Sequence, residues 1–189
     1  MLAMIKGLIF LSAFWWGIIT PVAFSETSDA PACKVSATIG SGRDDGRYYQ
    51  LIEEWILFNK ESGDSLCIVN HKSKGSSENL KLIDRDKIDF AIVQNDIGHH
   101  AYLGLHGTKK NTSFSGIKPL YKEYVQIVYK ADHPQNLKTL SDLKGKTIAM
   151  GDVDSGGYWN GLDILNAAGL TEGFSFKLET LYSQPFNLK

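Results

Sequence analysis

Runs of basic residues are missing from this chain. Its 20 lysines and arginines are scattered and are matched by 21 aspartates and glutamates, leaving a net charge of −1 over 189 residues. The electrostatic footprint of a nucleic-acid-binding protein is therefore absent. No internal repeat and no low-complexity segment occurs, which excludes a solenoid. Cysteine is scarce, with Cys33 and Cys67 alone. No nucleophile–base pair is legible: Ser76 and Ser155 have no histidine at a recognisable motif spacing, so an enzyme is not expected. His99, His100 and His106 have no cysteine or further histidine at metal-ligand spacing and are expected to be solvated surface residues. What remains is an ordinary soluble globular composition, 43% hydrophobic and 22% charged, in a length that suits one domain or two small ones.

Long apolar runs are missing too, with one exception. Lys6 precedes an apolar run from Gly7 to Ile19, and Val22-Ala23-Phe24-Ser25 follows Pro21. The small residues Ala23 and Ser25 suit a signal peptidase, so residues 1–25 are predicted to be a signal peptide cleaved after Ser25, exporting the protein to the periplasm. The run is short for a membrane anchor and is broken by Pro21. Residues 26–32 are polar, small and proline-containing, a flexible lead-in. Export lets the two cysteines pair. Cys33 precedes the first β-rich run and Cys67 starts the second. If those strands are parallel neighbours their starts lie close together, and a disulfide is geometrically reasonable. Free thiols are the alternative; lipidation of Cys33 is a poorer one, because Ala30-Pro31-Ala32 makes a weak lipobox.

The chain is organised around Ala37-Thr38-Ile39-Gly40-Ser41-Gly42-Arg43-Asp44-Asp45-Gly46-Arg47-Tyr48-Tyr49. A β-rich run enters a glycine-studded turn that opens into a helical pattern over 46–60, where Tyr48, Leu51, Trp55 and Phe58 recur at three- and four-residue spacing beside Ile52 and Ile56. A helix beginning there leaves N–H groups unpaired at the positive end of its dipole, a place that suits an anion. The same unit recurs twice. A strand over 65–70 leads to a loop ending at Ser76, which can cap a helix to about Asp84. A strand over 146–150 leads to Gly151-Asp152-Val153-Asp154-Ser155-Gly156-Gly157 and a helix from about Tyr158 to Ala168. Between them, 88–94 reads as a buried strand and 97–105 as a helix. Leu120 to Tyr129 reads as an alternating strand, ended by Asp132-His133-Pro134. Thr139 to Gly145 reads as a short capped helix, and Ser175 to Leu178 as a last strand. Alternating strands and helices argue a parallel α/β sheet with its ligand site at the carboxyl ends of the strands.

Six pieces then fall in one order: Ile39-Gly40-Ser41-Gly42 with Gly46, Tyr48 and Tyr49; Gly75-Ser76-Ser77-Glu78-Asn79-Leu80; Asp89 to Asp96 with Ala101-Tyr102; Leu120-Tyr121-Lys122-Glu123 with Val125; Leu140 to Lys146; and Gly151 to Gly156. From Lys34 onward the chain resembles the TAXI-family solute-binding proteins of TRAP transporters, some of which also carry a cysteine pair at two strand starts. The resemblance implies a periplasmic-binding-protein fold of the second type, a first α/β lobe over 33–128 and a partial second lobe over 129–189. It implies a monomeric receptor without cofactor that passes a small organic anion or acidic amino acid to TRAP permease subunits. The ligand residues it implies are Gly42, Tyr48, Tyr49, Ser76, Asn79, Gln94, Asp96, Glu123, Ser155 and Gly156. Residue chemistry adds Arg43 or Arg47, since arginine suits two-pronged recognition of a carboxylate. Gly157 departs from the family, which commonly has a small hydroxyl residue there. The family chain also continues well beyond position 189, so a C-terminally short member is expected. The alternative function is a truncated or degenerate module acting as a sensor or interaction protein without transport.

Overall fold

The computed structural model describes residues 33, 35–63, 65–106, 108–132, 137–173 and 176–180. The predicted signal peptide over 1–25, the lead-in over 26–32, His133-Pro134, Ser175 and the stretch 181–189 lie outside the described residues.

Two parallel sheets with helices following their strands form the structure, a mixed α/β architecture. The first sheet has order β2-β1-β3. β1 (Val35–Gly40) lies in its centre, β2 (Leu66–His71) pairs with it from Val35–Leu66 to Gly40–His71, and β3 (Phe90–Ala91) pairs through Ile39–Phe90 and Gly40–Ala91. The second sheet joins β4 (Thr147–Met150) to β5 (Lys177–Thr180). Four helices follow: α1 (Arg47–Glu61) after β1, α2 (Ser76–Asp84) after β2, α3 (Asn95–Leu103) after β3 and α4 (Gly156–Ala167) after β4. A 3-10 turn, Leu140–Leu143, precedes β4, with Asp142 Oδ2 accepting from Thr139 N at 2.8 Å.

Each sheet carries its own apolar core. Ile39, Ile52 and Ile92 are buried together, with Tyr48, Leu51, Ile56 and Ile68 packed around them. Met150, Leu165, Leu170 and Phe176 form the second core, beside Leu143, Ile148, Tyr158 and Leu162. The inward stripe of α1 therefore runs through Tyr48, Leu51, Ile52 and Ile56. Trp55 and Phe58, read from the sequence as part of that stripe, are 47% and 68% exposed. The 3.6-residue period admits both sets, and β1 and β2 select the one that reaches Ile39 and Ile68.

Two predicted strands change. The run 88–94 supplies only Phe90–Ala91 as strand, and β3 has β1 as its one neighbour among the described residues. Ile88 and Ile92 are still buried on either side of it. Leu120 to Tyr129 forms no strand. Tyr124 and Val128 are 82% and 81% exposed, and Ile117, Leu120, Val125 and Ile127 are also open. A strand exists only by pairing with another, and none among the described residues lies alongside this segment. Among the described residues no helix is long and apolar enough to cross a membrane.

Cys33 and Cys67 are joined in a disulfide with Cα atoms 5.5 Å apart. β1 and β2 run parallel with Ser36 opposite Cys67, so the strand starts do lie together. The bridge closes a separation of 34 residues. Replacing both cysteines by alanine is expected to lower the unfolding free energy by about 3–4 kcal/mol, through lost loop-closure entropy in the unfolded chain. Equal urea midpoints for oxidised and reduced protein would contradict that.

Candidate functional site

The loops after β1, β2, β3 and β4 converge on one cleft of about 300 Å³. Gly42, Arg43, Gly46, Arg47 and Tyr48 come from the first, and Lys74, Gly75 and Ser76 from the second. Gln94 comes from the third, and Ser155, Gly156 and Gly157 from the fourth. Glu123 completes the wall. Every one of these loops leaves the carboxyl end of a parallel strand, where an α/β sheet holds its ligands.

Four helix N-termini therefore face one space. The caps of α1, α2 and α3 are Gly46, Gly75 and Gln94, and none makes a side-chain capping bond. α4 is capped by Ser155, whose Oγ accepts from Tyr158 N at 3.2 Å. Ser76 is the first helical residue of α2, not its cap, as the sequence had suggested. Gly75 takes φ +124, which favours glycine, and its N–H donates to Ser73 Oγ at 3.1 Å. Each uncapped terminus favours an anion by roughly 0.3–1 kcal/mol, and a partly buried one by more.

The cations of the cleft already face carboxylates. Arg43 spends Nε and Nη2 on Asp45 at 3.0 Å each, and Arg47 meets Glu54 at 2.9 Å. Lys74 lies 3.5 Å from Asp154, which also binds Lys81 at 2.6 Å. The Lys81 hydrogen bond is the main reason the Asp154 carboxyl is held below the usual carboxylate range. Asp154 O also accepts from Glu78 N at 3.1 Å, so this residue joins the β4–α4 loop to α2. The sequence reading missed Lys74 and Asp154; their alternation with glycine and serine in both loops was the available signal.

Two acceptors stand among these donors. Glu123 receives Tyr48 Oη at 2.6 Å and Tyr121 Oη at 3.3 Å. Burial first, then the Glu123 carboxylate, pushes the Tyr48 hydroxyl well above its ordinary pKa, and the same two causes raise Tyr121. Both phenols therefore stay protonated donors. Gln94 N donates to Ser76 Oγ at 2.9 Å, while Gln94 Oε1 is buried with no partner. That oxygen lies against Gly156, where a Cβ would overlap it.

Of the residues singled out from the sequence, the cleft gathers Gly42, Arg43, Tyr48, Ser76, Gln94, Glu123, Ser155 and Gly156. Tyr49, Asn79 and Asp96 are not among its lining residues. Asn79 is fully buried, and its Nδ2 donates to Gly40 O, Ser41 O and Ile92 O at 3.2, 2.8 and 2.9 Å. It is a pin beneath the cleft floor. Asp96 sits in the first turn of α3, where a carboxylate complements the helix dipole. Tyr49 offers its backbone carbonyl to Asn70 Nδ2 at 3.0 Å. The model of the NMT1-like family matches residues 39–186, a span that contains every loop of this cleft.

Proposed function

The chain belongs to the NMT1-like family, a periplasmic binding-protein-like family of solute-binding proteins, and we propose that it is an extracytoplasmic receptor for a small organic anion or acidic amino acid. The observation that carries this reading is the convergence of the N-termini of α1, α2, α3 and α4 on one cleft. Such termini offer N–H donors and positive dipole ends; those of α1 and α4 have no acidic residue in the first turn, whereas α2 carries Glu78 and α3 Asp96. A volume of about 300 Å³ suits a small acid, at the lower end of ligand pockets. Gln94 Oε1 and Glu123 favour a ligand that also carries a donor, as an amino acid does. Meeting that buried oxygen would recover roughly 1–3 kcal/mol of desolvation.

The receptor is proposed to deliver its ligand to TRAP-type permease subunits without chemical turnover. The resemblance of the six ordered motifs to TAXI receptors supports that partner, and the export pattern of residues 1–25 supports a periplasmic location. Thermal melts of the purified protein against amino acids and mono-, di- and tricarboxylates test this reading. At a hundredfold excess over the dissociation constant, the right ligand is expected to add about 2.7 kcal/mol of stability and to be recovered unchanged. No shift with any of them, or conversion of the ligand, would defeat the reading.

A further inference from the structure

A second constellation lies away from the cleft. We propose that His100, His106 and Asp163 form a zinc-class metal site that clips α3 to α4 and opens onto a cavity of about 610 Å³. His100 lies in the last turn of α3, which ends at Gly104 with φ +74. Leu105 N returns to His100 O at 2.9 Å, and His106 takes φ +55. That left-handed backbone, uncommon outside glycine, folds the His106 ring back over His100, with centroids 4.5 Å apart. Asp163 comes from α4. Its two oxygens face the two imidazoles separately, Oδ1 3.2 Å from His106 Nε2 and Oδ2 3.5 Å from His100 Nε2.

These ligand atoms all lie within 4.8 Å of one another, close enough to share one ion. Bonds of about 2.0–2.1 Å at tetrahedral angles place neighbouring donors roughly 3.3 Å apart. Two imidazoles and one carboxylate are also the donor set of open zinc sites, which keep a fourth position for water or ligand. Here the fourth position has somewhere to face: His100, His106 and Trp159 all line the larger cavity, with the Trp159 ring 4.9 Å from His106. The histidine side chains are only 18% and 23% exposed, which departs from the solvated histidines expected from the sequence. The site lacks one refinement. His100 Nδ1 is buried without a partner, so the hydrogen bond that usually orients a metal-bound imidazole is missing. Losing such a partner costs about 10- to 100-fold in affinity, and micromolar rather than nanomolar binding is expected.

His100 stands six residues along from Gln94, and Asp163 seven along from Gly156. At 1.5 Å per residue the clip sits about 9–11 Å along from the cleft, on the two helices whose N-termini the cleft uses. The metal site stands whatever the cleft binds.

Calorimetric titration of the chelator-treated protein with zinc chloride tests it. One equivalent is expected to bind at micromolar affinity and to raise the melting midpoint. His106→Ala, on an exposed loop, and the isosteric Asp163→Asn are each expected to weaken binding more than tenfold. His99→Ala, the exposed neighbour on α3, is expected to leave it unchanged. Binding only at millimolar zinc, or a constant that ignores His106→Ala and Asp163→Asn, overturns the proposal.

Discussion

Replacing Asn79 by alanine is expected to lower the unfolding free energy by about 3–5 kcal/mol, although Asn79 does not line the cleft. Among the described residues its amide is the only donor to Ser41 O and Ile92 O, and it shares Gly40 O with Ile92 N. Truncation leaves two carbonyls unpaired in a site with no access to water, each at roughly 1–3 kcal/mol, and adds a cavity. In a chain of this size the midpoint should fall by about 6–20 °C. The cleft would loosen as well, because Gly40 and Ser41 begin the loop that carries Gly42 and Arg43. Asn79→Asp keeps the shape, removes the donors and sets a carboxylate against carbonyl oxygens, so it should be at least as harmful. A loss below about 1 kcal/mol in either variant would show that water or a neighbour takes over the pin.

Gly156→Val is expected to weaken ligand binding at least a hundredfold, roughly 3 kcal/mol, while the protein stays folded. Gly156 is buried at the first position of α4. A Cβ there overlaps Gln94 Oε1 and comes within 3.1 Å of Ser76 Oγ. The Gln94 side chain is flexible and can swing away, which spares the fold, and Gln94 and Gly156 both line the cleft. The substitution therefore fills the cleft, displaces the unpartnered acceptor and shields the N-terminus of α4 together. Calorimetry of wild type and variant with the same carboxylate measures this. An unchanged constant would mean that α4 takes no part in binding. A companion, Gly157→Ala, has open space at its Cβ and is expected to weaken binding far less.

Some of this was legible in the sequence because its cause is local. The glycines and caps that end each strand and start each helix sit side by side in the chain, so α1, α2 and α4 were predicted close to their observed limits. The parallel neighbours β1 and β2 followed from the alternation of strand and helix, and the Cys33–Cys67 bridge followed from them. What escaped is set by distant partners. Leu120 to Tyr129 has the composition of a strand, but composition cannot supply a neighbour to pair with. Asn79 carries the same amide whether it meets a ligand or three carbonyls, and only the approach of Gly40, with no room for a Cβ beside Asn79 and Ile88, decides for the pin. Arg43 reads as a free fork until Asp45, two residues on, turns out to occupy it. His100 and His106 gain their meaning from Asp163, 57 residues further along the chain from His106.

The central claim is that a small anion is held where four helices begin. Amide chemical-shift mapping, with the carboxylate that most raises the melting midpoint, tests it most directly. The largest shifts are expected at Gly46 to Tyr49, Gly75 to Ser77, Gln94 to Asp96, and Ser155 to Gly157. Shifts centred instead on His100, Leu105 and Trp159, around the larger cavity, would contradict it, as would a saturating carboxylate that leaves the amides at all four helix N-termini unmoved.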